Sequence, residues 1–228
     1  MGDMVSFASN GGTSQGYLAA PDRPNGSAVI VIQEWWGLVG HIRDVADRFA
    51  AQGYLTLAPD LYRGMRTTEP DEAGKLLMGL AMDQAARDMA GAAAHLTASD
   101  EVTTGKVGTV GFCMGGSLAL WSATLSDAIV AAVGYYPPLP WERMTPVWSN
   151  YTDKAAVIYC SEGDGTSAAP GIQQAKQAIE AAGGACQVHD YPGTGHAFFN
   201  DDRPEVYDGA AAENSWERTL VFFTDRLR

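Results

Sequence analysis

The amino-acid sequence predicts an α/β protein in which a mostly parallel central sheet carries helices on both faces and an antiparallel N-terminal edge. Three observations lead there. Apolar, β-branched runs recur along the chain and alternate with segments of helical spacing, the pattern of buried strands joined by crossover helices. The strongest run, Ala28–Ile32 (AVIVI), contains no polar residue. Across 228 residues no repeat, low-complexity tract or Pro/Ser-rich linker divides the chain, so one domain over 1–228 is expected.

Taken in order, Val5–Ser9 and Gly16–Ala20 flank the glycine-rich Asn10-Gly11-Gly12 and read as an antiparallel hairpin on the sheet edge. Ala28–Ile32 is the first strand buried on both faces. Over Gly40–Ala51, Ile42, Val45, Ala46 and Phe49 fall on one side, with Arg43, Asp44, Asp47 and Arg48 opposite, as in an amphipathic helix. Gln52-Gly53 stops that helix, Tyr54–Ala58 is the next strand, and Pro59-Asp60 ends it. A long helical stretch is expected from about Pro70 to Leu96, weakened at Gly74, Gly79 and Gly91, with Met78, Met82 and Met89 on one core-facing side. Strands follow at Lys106–Gly111, Ala128–Tyr135, Ala155–Cys160 and Cys186–Tyr191, with helices at Ser117–Thr124, Ala168–Ala182 and Glu205–Arg226. Asp201, Asp202, Glu205 and Asp208 are expected at the start of the last helix, where the dipole favours negative charge.

The net charge of −12 argues against nucleic acid and anionic membrane surfaces as partners. The opening MGDMVSFASN shows no basic segment followed by an apolar core, and no apolar run reaches spanning length. The expectation is a cytoplasmic protein, a monomer or small homo-oligomer, acting on a small molecule. Cys113, Cys160 and Cys186 lack the paired spacing of a disulfide framework or a zinc site, and no metal or cofactor is expected. Cys160 and Cys186 lie in apolar runs and read as buried thiols.

Cys113 differs. Gly111-Phe112-Cys113-Met114-Gly115 is G-x-C-x-G at a strand-to-helix turn, the nucleophile-elbow pattern with sulfur in place of oxygen. Small residues two positions either side relieve the crowding of such a turn, and the N–H groups of the helix that follows favour thiolate. A thiol nucleophile needs a base, and the base needs an orienting acid. His41, His95 and His189 sit within helix or strand patterns and read as satisfied structural residues. His196 instead follows the last strand on the turn Tyr191–Gly195, where a loop at the carboxyl edge of the sheet reaches a ligand crevice. The acid is expected between them, in Ser161-Glu162-Gly163-Asp164-Gly165, with Asp164 favoured and Glu162 its competitor. The order nucleophile, acid, histidine is that of α/β-hydrolases. An oxyanion hole follows from the N–H of Met114 and of Trp35 in the loop after Ala28–Ile32. Glu34 beside it is costly to bury unless partnered, either by the thiol, whose protonation it would then regulate, or by an arginine such as Arg43 or Arg63.

With these residues the chain resembles the dienelactone hydrolase family of the α/β-hydrolase superfamily over nearly its whole length. The resemblance rests on VIVIQEWWG (Val29–Gly37), QGYLTLAPDLY (Gln52–Tyr62), GKVGTVGFCMGG (Gly105–Gly116), VGYYP (Val133–Pro137), Gly163-Asp164 and GHAFFND (Gly195–Asp201). It implies an α/β-hydrolase fold without cofactor, in which Cys113, His196 and Asp164 open a lactone or ester through a thioester while Glu34 holds the thiol. Prototype members bind a substrate carboxylate with two arginines. Here Pro70 or its neighbours stand at the first place and Asn200 at the second, leaving Arg63 and Arg66 as substitutes and a neutral or differently shaped ester as the implied substrate. Trp36, Tyr136 and Phe198 are candidate pocket aromatics, with Trp35, Trp141, Trp148 and Phe199 as further members. The alternatives are a promiscuous carboxylesterase and a non-catalytic ligand-binding or redox-sensing protein on the same fold.

Overall fold

A computed structural model describes residues 1–9 and 11–228. Its eight strands form one sheet in the order β1-β2-β4-β3-β5-β6-β7-β8. β1 (Asp3–Ser9) and β2 (Gly12–Ala19) form the antiparallel edge, and β2 runs antiparallel to β4 (Leu55–Pro59). All remaining neighbours are parallel: β3 (Ala28–Ile32), β5 (Val107–Phe112), β6 (Ile129–Tyr135), β7 (Ala155–Ser161) and β8 (Ala185–Tyr191). Asn10, expected in the turn between β1 and β2, lies outside the described residues, and Gly11 takes φ +93°.

Strand alternation divides the core into two layers. Ala28, Ile30 and Ile32 of β3 face α3 (Met82–Thr97), α4 (Met114–Ser122) and α5 (Pro170–Ala181). Val29 and Val31 face α1 (Gly40–Ala51) and α6 (Gly209–Leu227). Every residue of β3 is fully buried, and each Val or Ile contributes roughly 1.5–3 kcal/mol of apolar burial. On α1 the buried stripe includes Ile42, Val45, Ala46 and Phe49, which sets the helix against the sheet.

Two helical expectations are corrected. The segment from Pro70 to Leu96 is two helices, α2 (Pro70–Gly79) and α3, broken at Leu80-Ala81. Arg143 reaches across to this break, donating to the Leu80 carbonyl (2.5 Å) and to the Leu77 carbonyl (2.6 Å), which also accepts from Leu80 N (3.3 Å). Because of the break, Met78 stands 71 % exposed while Met89 is buried. The last helix begins only at Gly209, capped by Asp208, whose Oδ1 accepts from Ala211 N (2.9 Å). Asp201, Asp202 and Glu205 therefore lie in the preceding loop rather than at the helix start. Among the described residues no helix is long and apolar enough to cross a membrane.

Candidate active site

The parallel strands end together at one edge of the sheet, and the titratable residues of interest stand just past those ends. Glu34 follows β3, Cys113 follows β5, Tyr136 follows β6, Asp164 follows β7 and His196 follows β8. Parallel pairing of β3, β5, β6, β7 and β8 is what brings five residues spread over 163 positions of sequence to one place.

Cys113 is the residue before α4 and takes φ 54°, ψ −124°, a left-handed conformation that costs a non-glycine residue about 1–3 kcal/mol. The surrounding glycines make it attainable. A Cβ on Gly111 would overlap the Gly115 carbonyl, and one on Gly115 would overlap the carbonyls of Ile32 and Gln33. The half-buried thiol thus sits at the first turn of a helix whose N-terminal dipole favours negative charge.

His196 Nδ1 donates to Asp164 Oδ2 at 2.6 Å, and Ser161 Oγ donates to the same oxygen at 2.5 Å. Burial opposes a charged imidazole, but hydrogen bonds with Asp164 and Cys113, and the charges of both, outweigh it and raise His196 to about 10. Burial works against the Asp164 carboxylate too, yet His196 and Ser161 hold it below its ordinary value. The two loops are locked by Gly163 N donating to Thr194 O (3.1 Å) and Gly193 N donating to Glu162 Oε2 (2.6 Å). Glu162, the competing acid, is thereby spent on the turn before His196. Ser161 carried no warning in the sequence beyond its place at the end of a strand.

Tyr136 packs edge-on against the His196 ring (5.0 Å) and is held at φ 39° with its hydroxyl buried and without a partner among the described residues. Burial, then the nearby Glu34 and Cys113 charges, push its hydroxyl well above the usual phenol value. Tyr136 borders a cavity of about 260 Å³ shared with Ser161, Asp164, His196 and Ile172. On the opposite flank Trp36, His41, Asn200 and Arg203 border a second cavity of about 350 Å³. A further cleft, about 560 Å³, lies between α6 and the β7–β8 edge and contains none of these residues.

Glu34 is 1 % exposed. Asn200 Nδ2 donates to its Oε2 at 2.9 Å, while Oε1 has no partner among the described residues. Burial raises its carboxyl above the usual value, against the opposing pull of His41, His196, Asn200 and Arg203. Neither expected arginine pairs with it. Arg43 lies over the Tyr17 ring (5.9 Å), and Arg63 forks onto Asp88 (2.9 and 3.2 Å) and donates to Thr13 O (2.9 Å). Arg63 is therefore a tie between the β1–β2 hairpin and α3, engaged there and not at Glu34. Arg66 is exposed beside Gly37, with no ion-pair partner among the described residues. Phe198 is also corrected: it is fully buried, edge-on to Tyr136 (5.4 Å), and belongs to the core along with Phe199. Trp141 and Trp148 border a separate cavity against α5.

The Trp35 and Met114 amides donate to no acceptor among the described residues. Trp35 and Trp36 contact edge to face (4.8 Å), and the Arg203 guanidinium lies over Trp36 (5.8 Å). Cys160 and Cys186 are buried, and burial raises both thiols to about 12. Among the described residues no group of three or more His, Cys, Asp or Glu side chains is arranged to hold a metal ion.

The model of the Dienelactone hydrolase family matches residues 14–227. The protein Usf of Aquifex pyrophilus is 34 % identical over 234 residues, spanning all of both chains. A provisionally named carboxymethylenebutenolidase of Aquifex aeolicus is 32 % identical over 235 residues, again over the whole of both. Among solved structures, a provisionally named dienelactone hydrolase of Klebsiella pneumoniae superimposes with a TM-score of 0.83 at 26 % identity, covering 98 % of each chain. Propionate-bound esterase 2 of Thermogutta terrifontis, at 18 % identity and a TM-score of 0.69 over 98 % of this chain and 94 % of its own, shares the fold.

Proposed function

Because the chain belongs to the dienelactone hydrolase family of carboxylic ester hydrolases, we propose that Cys113, His196 and Asp164 act as a catalytic triad that opens a small lactone or cleaves a small ester through a thioester. The observation that carries this reading is the strained Cys113 at the N-terminus of α4, facing an imidazole that Asp164 holds in its charged form. An imidazolium beside the sulfur favours thiolate, the reactive species.

The thiolate attacks the substrate carbonyl carbon, forming a C–S bond as the π electrons move onto oxygen. The Trp35 and Met114 N–H groups receive that oxyanion. Collapse of the adduct breaks the C–O bond, and the departing alkoxide takes the Nε2 proton of His196. In a lactone the resulting alcohol stays tethered to the acyl group. Neutral His196 then removes a proton from water, the hydroxide attacks the thioester, and the thiolate leaves to pair again with imidazolium. Asp164 keeps the ring in the required tautomer throughout, as acids in such triads do.

A broad carboxylesterase is the second reading. It is favoured by the commitment of Arg63 to Asp88 and by Asn200, a neutral side chain, in contact with Glu34. The test is hydrolysis of a short-chain p-nitrophenyl ester and an unsaturated γ-lactone carboxylate by wild type and Cys113→Ala, with mass spectrometry of rapidly quenched enzyme. Turnover lost in the variant and an acyl group on Cys113 are expected. Turnover that survives Cys113→Ala overturns the thiol mechanism, and preference between the substrates separates lactonase from esterase.

A further inference from the structure

The site contains a second histidine–aspartate pair. His41, on the first turn of α1, is 1 % exposed, and its Nδ1 meets Asp201 Oδ1 at 3.0 Å, an arrangement like that of His196 with Asp164. The ring packs edge-on to Phe112 (5.8 Å) and Phe199 (6.2 Å), which fixes its plane. Its Nε2 is buried and has no partner among the described residues. So is Glu34 Oε1. The pair makes no direct ion contact, His41 being engaged by Asp201, yet His41 is the foremost charge acting on Glu34. His41 also borders the cavity lined by Trp36, Asn200 and Arg203, which offers polar surroundings for a water.

Two orphaned buried atoms of opposite capacity each carry a penalty of about 1–3 kcal/mol, and one water between them, passing a proton, satisfies both. With Nδ1–H donated to Asp201, a neutral ring presents its Nε2 lone pair, and a protonated Glu34 supplies the matching O–H. With the proton moved across, an imidazolium N–H faces a carboxylate. We propose that His41, oriented by Asp201, is a positioning residue that exchanges this proton with Glu34 Oε1 through a bridging water, so that Glu34 presents a carboxylate to the catalytic site. The proton leaves the carboxyl oxygen, passes through the water and ends on Nε2, with no other reactant required. Its effect on turnover rests on Glu34 acting upon the thiol as the family resemblance implies.

Other charges surround the relay. Cys113, Tyr136 and His196 face Glu34 from the ends of β5, β6 and β8. Arg48 of α1 stands 4.0 Å from Asp201, and Asp202 and Arg203 follow on the same loop. None of them reaches His41 Nε2 within hydrogen-bonding distance.

The decisive measurement is the infrared carboxyl band of Glu34, isolated as wild type minus Glu34→Gln and followed against pH. His41→Phe keeps the packing on Phe112 and Phe199 but removes both nitrogens. It is expected to move the Glu34 titration midpoint upward by about one pH unit or more. His41→Gln, which restores a donor without the charge, recovers part of the shift. Asp201→Asn alters a side chain 44 % exposed, so it serves where His41 variants fold poorly, and it too moves the midpoint upward. In catalysis the acid limb of kcat/KM moves with the band, and His41→Phe adds no limb shift in a Glu34→Gln background. An unchanged midpoint in His41→Phe, or a limb shift that persists without Glu34, overturns the proposal. The band needs no turnover, so an inactive wild type would count against the hydrolase mechanism while the relay is judged on the band alone.

Discussion

Replacing Asp164 by Asn removes both the hydrogen-bond acceptor and the charge that hold His196 protonated. In the native protein the ring titrates at about 10, so at pH 7.5 imidazolium outnumbers the neutral form by roughly 300 to 1. Without Asp164, burial is opposed by Cys113 alone and draws the ring back toward its ordinary 6.5, where imidazolium is only about one part in ten at the same pH. Alkylation of Cys113 by iodoacetamide reads the thiolate that this imidazolium supports. The native rate is expected to be nearly flat from about pH 6.5 to 9, and the Asp164→Asn rate to fall about tenfold at pH 7.5 and climb with pH. The other thiols do not confuse the assay, because Cys160 and Cys186 are buried and raised to about 12. Peptide mapping confirms which sulfur is modified. Equal rates in the two proteins at pH 7.5, or modification of Cys160 at a comparable rate, would show that Asp164 does not govern the thiol's state.

Arg63→Ala strands Asp88, a carboxylate 2 % exposed that keeps Ser9 and Gln84 as donors among the described residues, and should cost about 2 kcal/mol in urea unfolding while KM for anionic and neutral esters stays equal to wild type. A KM rise confined to anionic esters would return Arg63 to the binding site. Gly115→Ala drives a methyl into the Ile32 and Gln33 carbonyls and should cost about 3 kcal/mol or more by the same measurement; a fully stable variant would mean that α4 does not press on β3. His196 is raised on folding, so its contribution to stability is complete below pH 6.5 and is lost as pH rises through about 10. Thermal melts of wild type and Asp164→Asn should therefore differ most near pH 6 and converge above pH 10, and parallel curves across that range would contradict the assignment.

The sheet was legible because its strands are local signals: Ala28–Ile32 is apolar at every position, and Gly111 and Gly115 mark a turn that only small residues permit. Residues at strand ends inherit that legibility, since parallel pairing alone carries Cys113, Asp164 and His196 to one edge. Side-chain commitments between distant segments left no such trace. Arg63 looked free because its partner Asp88 lies on a helix 25 positions later. The helix break after Gly79 is held by Arg143, more than sixty positions away, so no reading of local propensity finds its place. In His196-Ala197-Phe198-Phe199, Ala197 takes φ 66°, and this reversal sends both phenyl rings into the core while the imidazole remains at the edge. His41 makes the sharper point. One ring nitrogen is satisfied, as a structural histidine's should be, and only the three-dimensional structure reveals that the other is left buried and unpartnered, as is one oxygen of Glu34, whose other oxygen is held by Asn200 of the loop that carries Asp201. A group half satisfied in a low-dielectric site is held in place yet still open to a proton, and that combination separates a relay from a packing residue.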